Sequence, residues 1–220
     1  MHRSPLSIRR VTRQKGSFMV EFAIVGWTLF YLMAGTLQVG LNMNRAMTAQ
    51  STCRDANVLT VRGIDLSQSS NQQLITRAGA GLGINRSGSW LPDSNGTGVV
   101  YISKIIKVGP LECATGVANF DGTTNTCPNL GQYVIATRIP IGNSTRWASL
   151  LGTPASTPGS DGKLTDAQIC TVTGNVSTFP SSMSLATDQY TFVAEVFADT
   201  SNINFFSFLT PSAIYMRNFS

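Results

Sequence analysis

Histidine is almost missing from this chain: the one residue, His2, sits in a basic N-terminal stretch and none follows it. That removes Ser-His-Asp and Cys-His arrangements for nucleophilic catalysis. The acids are scattered, and no spacing marks two of them as an acid/base couple, so the expectation is a protein that is not an enzyme and needs no cofactor. Charge is scarce as well, at 12% of residues. The formal net charge of +5 invites a nucleic-acid reading until its location is examined. Five basic residues (Arg3, Arg9, Arg10, Arg13 and Lys15) precede Ser17 with no acid among them, whereas eleven basic and eleven acidic residues follow. All the excess therefore lies in one short leader beside an apolar run. This pattern orients a membrane segment and does not line a nucleic-acid groove, although the leader can touch acidic lipid headgroups. The four cysteines include no CxxC pair, which argues against a zinc site and for no bound metal.

What the chain does have is a long apolar run. From Phe22 to Leu41 there are 20 residues without a charge. In a helix they cover roughly 30 Å, enough to cross a bilayer's hydrocarbon core. The basic flank predicts a cytoplasmic N-terminus with the rest of the chain outside. A secretory signal peptide has a shorter apolar core and a small-x-small cleavage site. The residues after this run, "NMNRAMTAQS", offer a poor one, so the expectation is a retained, single-pass anchor.

The helix is expected to continue beyond the span. Residues 42–62 lack Pro and Gly, and Met43, Ala46, Ala49, Cys53 and Ala56 repeat at three- and four-residue intervals. Gly63 is a natural stop. A short helix is expected near Gln72–Ala80, and strands over 99–108, 132–141 and 190–198, each rich in β-branched or aromatic residues. Pro140 marks an edge or a strand end. The fold class is therefore α+β: a long N-terminal transmembrane helix extending into a small antiparallel-sheet domain outside the membrane. The divisions are a basic leader (1–16), a transmembrane helix (17–41), a helix extension (42–63) and a sheet-containing extracytoplasmic domain (64–220).

An oxidising compartment favours two disulfides among Cys53, Cys113, Cys127 and Cys170. Of the three possible connectivities, Cys113–Cys127 closes a short local loop, which leaves Cys53–Cys170 by elimination. Four buried free thiols are the competing reading. Three other motifs read as turns. "AGAGLG" (78–83) begins like a nucleotide loop, but Ile84 occupies the third glycine's place and no strand precedes it. "DSNG" (93–96) and "DGTTN" (121–125) lack the ligand spacing of a calcium loop.

One residue fits the anchor badly. Glu21 lies at the start of the apolar run, roughly 9 Å beyond Lys15 along a helix. A charge there is costly, and such residues usually have a partner and a function. A cut after Gly16 would make Ser17 a new N-terminus, one helical turn from Glu21, and its ammonium would be a ready counter-charge.

The segment "KGSFMVEFAIV" (15–25) resembles the cleavage region of prepilins and pseudopilins, a class III signal peptide. It has a basic leader, Gly16 before the cut, Ser17 after it, Glu21 at the fifth mature position and Phe22 at the sixth. Together with "AQSTCRDANVLTVRG" (49–63), it is similar to the TadE/TadF group of minor pseudopilins of the tight-adherence (Flp, type IVc) pilus. Gly26 stands where many of that group have Pro, and Cys53 interrupts the usual Ala-rich segment. The resemblance implies maturation by a prepilin peptidase that recognises Gly16 and Glu21. It also implies partners among other pilin or pseudopilin subunits and the pilus assembly machinery, a place in the inner membrane with the outer domain periplasmic or extracellular, and a role in pilus assembly and adhesion. The rivals are an uncleaved single-pass protein with an outer binding domain, and a type II secretion pseudopilin.

Overall fold

The computed structural model describes residues 15–86, 88–175, 179–181, 183–201 and 213–220, with burial described from Phe18 onward. The basic residues of the leader other than Lys15 lie outside these bounds. One helix, α1 (Lys15–Val61), spans 47 residues without interruption, roughly 70 Å at 1.5 Å per residue. Gly26 does not break it, because an isolated glycine costs a helix only about 1 kcal/mol. Its end is a Schellman motif centred on Gly63 at φ +78. The Ile64 amide donates to the Leu59 carbonyl and the Gly63 amide to the Thr60 carbonyl.

After α2 (Ser69–Ala78) come β1 (Gly98–Lys107), α3 (Pro110–Gly116), β2 (Tyr133–Gly142), α4 (Asp166–Thr171), β3 (Tyr190–Asp199) and β4 (Ala213–Phe219). The strands form one antiparallel sheet in the order β2-β1-β3-β4. Pro140 is on the edge strand, as expected. Beside it, the Arg138 amide donates to the Gly162 carbonyl and the Leu164 amide to the Ala136 carbonyl. The 159–164 segment thus covers part of the β2 edge and stops where proline has no amide to offer.

The C-terminal half of α1 lies across β3 and β4. Its inward stripe follows a 3-4-3-4 spacing through Asn42, Arg45, Ala49, Thr52 and Ala56, from half-buried at Asn42 and Arg45 to fully buried. Ala49, Cys53 and Ala56 have at most 1% exposure and meet Val100, Ile102, Ala194, Val196 and Ala198 of the sheet. Small residues on both surfaces let the helix backbone come close to the strands, and Leu66, Ile75, Leu82 and Ile84 fill the flanks. The opposite sheet face is covered by Trp147, Leu151 and Phe179, which pack on Tyr101, Phe197, Ile105 and Val193. Coverage of both faces explains why β1 and β3 read as nearly continuous apolar runs.

The Cys113–Cys127 disulfide is formed, with a Cα–Cα separation of 5.9 Å. The Cys53–Cys170 pairing is not: both are free and buried. Cys53 belongs to the core under α1, while Cys170 lies in a separate core between α3 and α4. The Cys53 thiol donates to the Ala194 carbonyl at 3.0 Å, and burial pushes its pKa up to about 12.

A larger side chain in the α1 stripe should lift the helix off the sheet. Ala49→Leu is expected to cost about 1–3 kcal/mol, whereas Gln50→Leu, on the exposed neighbouring position, should stay within about 0.5 kcal/mol. Urea unfolding of the two variants in detergent, followed by tryptophan fluorescence, checks this; equal midpoints would contradict the packing.

Candidate functional site

The two halves of α1 have opposite surroundings. Among the described residues it is the one helix long and apolar enough to cross a membrane, and the window that meets this test has no share buried inside the protein. Phe18, Phe22, Trp27 and Leu32 are each more than 60% exposed. The threonine hydroxyls in this half bond locally: that of Thr28 donates to the Ile24 carbonyl and that of Thr36 to the Met33 carbonyl, both at 2.9 Å. In an apolar medium a hydroxyl needs such a local acceptor. Trp27 and Tyr31 form an edge-to-face pair with ring centroids 5.0 Å apart.

Gly16 and Ser17 lie in the first turn of α1, and Glu21 and Phe22 follow one turn later on its exposed surface. The helix thus brings Ser17 and Glu21 onto one face by their four-residue spacing. Of the four cysteines, the fold gathers Cys113, Cys127 and Cys170 and leaves Cys53 apart.

At the other end of the apolar half, α1 is tied to the sheet by polar contacts. Arg45 Nη1 donates to the Asp199 carbonyl at 3.0 Å, and Asn57 Nδ2 to the Asn218 carbonyl at 2.8 Å. The Asp199 carboxylate, nearly buried, pairs with the Arg146 guanidinium and accepts from the Ser201 amide at 2.7 Å. Burial disfavours its charge, but the Ser201 hydrogen bonds and Arg146 outweigh that and hold the carboxyl below its ordinary range.

Four residues earlier on the same strand face, Glu195 is fully buried. It accepts from the Ser149 hydroxyl, from the Leu150 amide at 3.2 Å and from the Tyr215 hydroxyl at 2.8 Å. Burial, together with the Glu195 charge, pushes the Tyr215 phenol upward. Arg138 shares this side of the sheet, its guanidinium 5.5 Å from the Tyr101 ring centre. Arg138 Nε and Nη2 and the Ser103 hydroxyl across the register have no hydrogen-bond partner among the described residues. Glu195 supplies Arg138 with a nearby opposite charge.

These charges were not singled out from the sequence. The available signal was the spacing in "FVAEVFAD", where Glu195 and Asp199 fall on one face of a strand that is otherwise apolar. Compared with known protein families, characterised proteins and solved structures, the chain has no match.

A carboxyl held lower in the folded chain than in the unfolded one contributes stability above its unfolded pKa, about 3.9, and loses it as pH falls through the folded value. The urea midpoint should therefore drop as the pH is lowered below about 4. Asp199→Asn should lower the midpoint at neutral pH and make that acid decline shallower, though not flat. Asp65, held low by Ser67, and Asp121, held low by Thr126 and Thr123, still contribute. An unchanged pH profile would contradict the role given to Asp199.

Proposed function

We propose that this chain is a pseudopilin-like, membrane-anchored component of a tight-adherence (Flp) type pilus, matured by a prepilin peptidase between Gly16 and Ser17. The observation that carries the reading is the division of α1 into an apolar half whose large side chains are exposed and a half seated on the sheet. Such a helix can leave the bilayer and enter an assembly of similar helices without disturbing the outer fold. The residues "KGSFMVEFAIV" at its start supply the processing signal. Gly16 gives the peptidase unhindered backbone, and Glu21 gives the mature chain a carboxylate one turn from the new Ser17 ammonium. Each charge is expensive alone in an apolar setting and cheaper when paired.

Protein recovered from membranes of cells that make the peptidase should begin Ser-Phe-Met-Val-Glu. Gly16→Leu should retain the leader and still insert, because orientation follows the basic flank. An intact Met1 in the wild-type protein, or maturation of Gly16→Leu at the normal rate, would contradict the processing site and favour an uncleaved anchor.

Glu21→Gln should leave the outer domain folded and membrane-associated, since the substitution changes only a charge on the exposed helix surface. The expected loss is in association with other pilin-like subunits and in pilus-dependent attachment. Leader removal, membrane level and attachment are scored separately beside wild type. Equality in all three would show that Glu21 has no part in assembly.

A further inference from the structure

Cys113, Cys127 and Cys170 come together from three parts of the chain. Cys113 is on α3, Cys127 follows the 117–126 loop and Cys170 is on α4. All three are fully buried, and their sulfur atoms lie within 4.8 Å of one another. Two of them form the disulfide, so a free thiol lies against an existing S–S bond.

Local packing explains the convergence. At the start of α3 the Asp188 carboxylate accepts from the Leu111 amide at 3.2 Å. A Cβ on Gly109 would meet that carboxylate at 2.0 Å, so glycine leaves it room in this position. At the end of α3 the place of a Gly116 Cβ lies 2.6 Å from Cys170 Sγ. Glycine there lets α4 approach until the Cys170 thiol donates to the Glu112 carbonyl at 3.2 Å. On the third side, Asn129 Nδ2 donates to the Ile169 and Val172 carbonyls at 2.7 and 3.0 Å. Its amide donates to the Cys170 carbonyl at 3.2 Å. These bonds hold the Cys127 region against α4 whichever sulfurs are joined.

We infer that Cys113, Cys127 and Cys170 form an internal thiol–disulfide exchange site in which Cys170 is the attacking sulfur. The Cys170 thiol loses its proton and its sulfur attacks one sulfur of the Cys113–Cys127 bond. That bond breaks as the new one forms, and the displaced sulfur leaves as a thiolate that takes up a proton. One disulfide and one thiol are present before and after, so no oxidant or reductant is consumed. Attack on Cys113 joins α3 to α4 and releases the 117–126 loop from its covalent staple. Attack on Cys127 ties that loop to α4 and frees Cys113. The cross-link thereby moves from a short local loop to a much longer one within the same core.

The surroundings set the pace. Burial is the main force raising the Cys170 thiol, and the carboxylates of Asp166 on its own helix and Glu112 on α3 add to it. Asp188 lies beside Glu112, and Lys104 is near enough to Glu112 to offset part of this negative charge. The thiolate is the attacking species, so exchange should be slow at neutral pH and accelerate about tenfold per pH unit while the thiol remains mostly protonated. This inference is independent of the pilus reading.

The full chain in detergent is incubated without oxidant at pH 7, 8 and 9. It is then quenched in acid, unfolded, alkylated and mapped by non-reducing proteolysis and mass spectrometry. The expected result is Cys113–Cys127 at the start, followed by Cys170-containing disulfides that accumulate about tenfold faster per pH unit, with the total disulfide constant. Cys170→Ser should abolish them. In a glutathione/glutathione disulfide buffer, Cys113→Ser should form Cys127–Cys170, and Cys127→Ser should form Cys113–Cys170. The proposal is overturned if Cys170 stays fully alkylatable in the wild type and both variants. It is equally overturned if Cys53 exchanges as readily as Cys170, because the mixing then runs through unfolding.

Discussion

The fold depends on the close approach of α1 to the sheet. Ala49, Cys53 and Ala56 present almost no side-chain bulk, and Ala194 and Ala198 answer them from β3. Where two surfaces of small residues meet, a helix sits deep against the strands and its flanking positions find neighbours. Leu66, Ile75, Leu82 and Ile84 close that space from the segments that follow the helix. Without this seat the apolar half of α1 would be tethered to the domain by a swivel. With it, one uninterrupted helix runs from the apolar half into the core.

The buried charges lie on the other side of the same strands. Glu195 and Asp199 are four residues apart on β3, and each is met by groups from the 143–151 segment, Ser149 and Leu150 for one and Arg146 for the other. Buried charges are costly unless well partnered, so these contacts fix how that segment lies over the sheet. Asp199 also reaches the helix side, because its carbonyl accepts from Arg45. The end of β3 therefore links the cover of one sheet face to the helix on the other.

Much of this architecture was legible in local sequence. Strands β1 and β3 stand out because both their faces are buried, β2 through its β-branched and aromatic residues, and Pro140 and Gly63 mark an edge and a stop through their backbone chemistry alone. Strand β4 did not stand out: "AIYMRNF" is only partly buried at the sheet edge, so its polar Arg217 and Asn218 blur the pattern. Helices α3 and α4 have 7 and 6 residues, too short for a helical period to emerge. Their signals were caps: Pro110 followed by Glu112, and Thr165 with Gln168 in a capping box. The short disulfide was readable because its two ends are near in sequence. The place of Cys170 was not, since it depends on how α4 docks onto α3, and elimination paired it with Cys53, although both are free. In the candidate site, the apolar helix and Glu21 were visible as violations of composition, whereas the partners of Glu195 come from segments distant along the chain.

Its seat on the sheet makes α1 one continuous element, shared between the sheet-containing domain and an apolar half. Amide hydrogen exchange along the helix, with the full chain in bilayer discs, tests it most directly. Amides of residues 46–60 should open only with those of β1 and β3, and protection should continue without a break through residues 38–45. Fast exchange over 42–61 while the sheet stays protected would contradict it, since the helix would then be a tether and not part of the core.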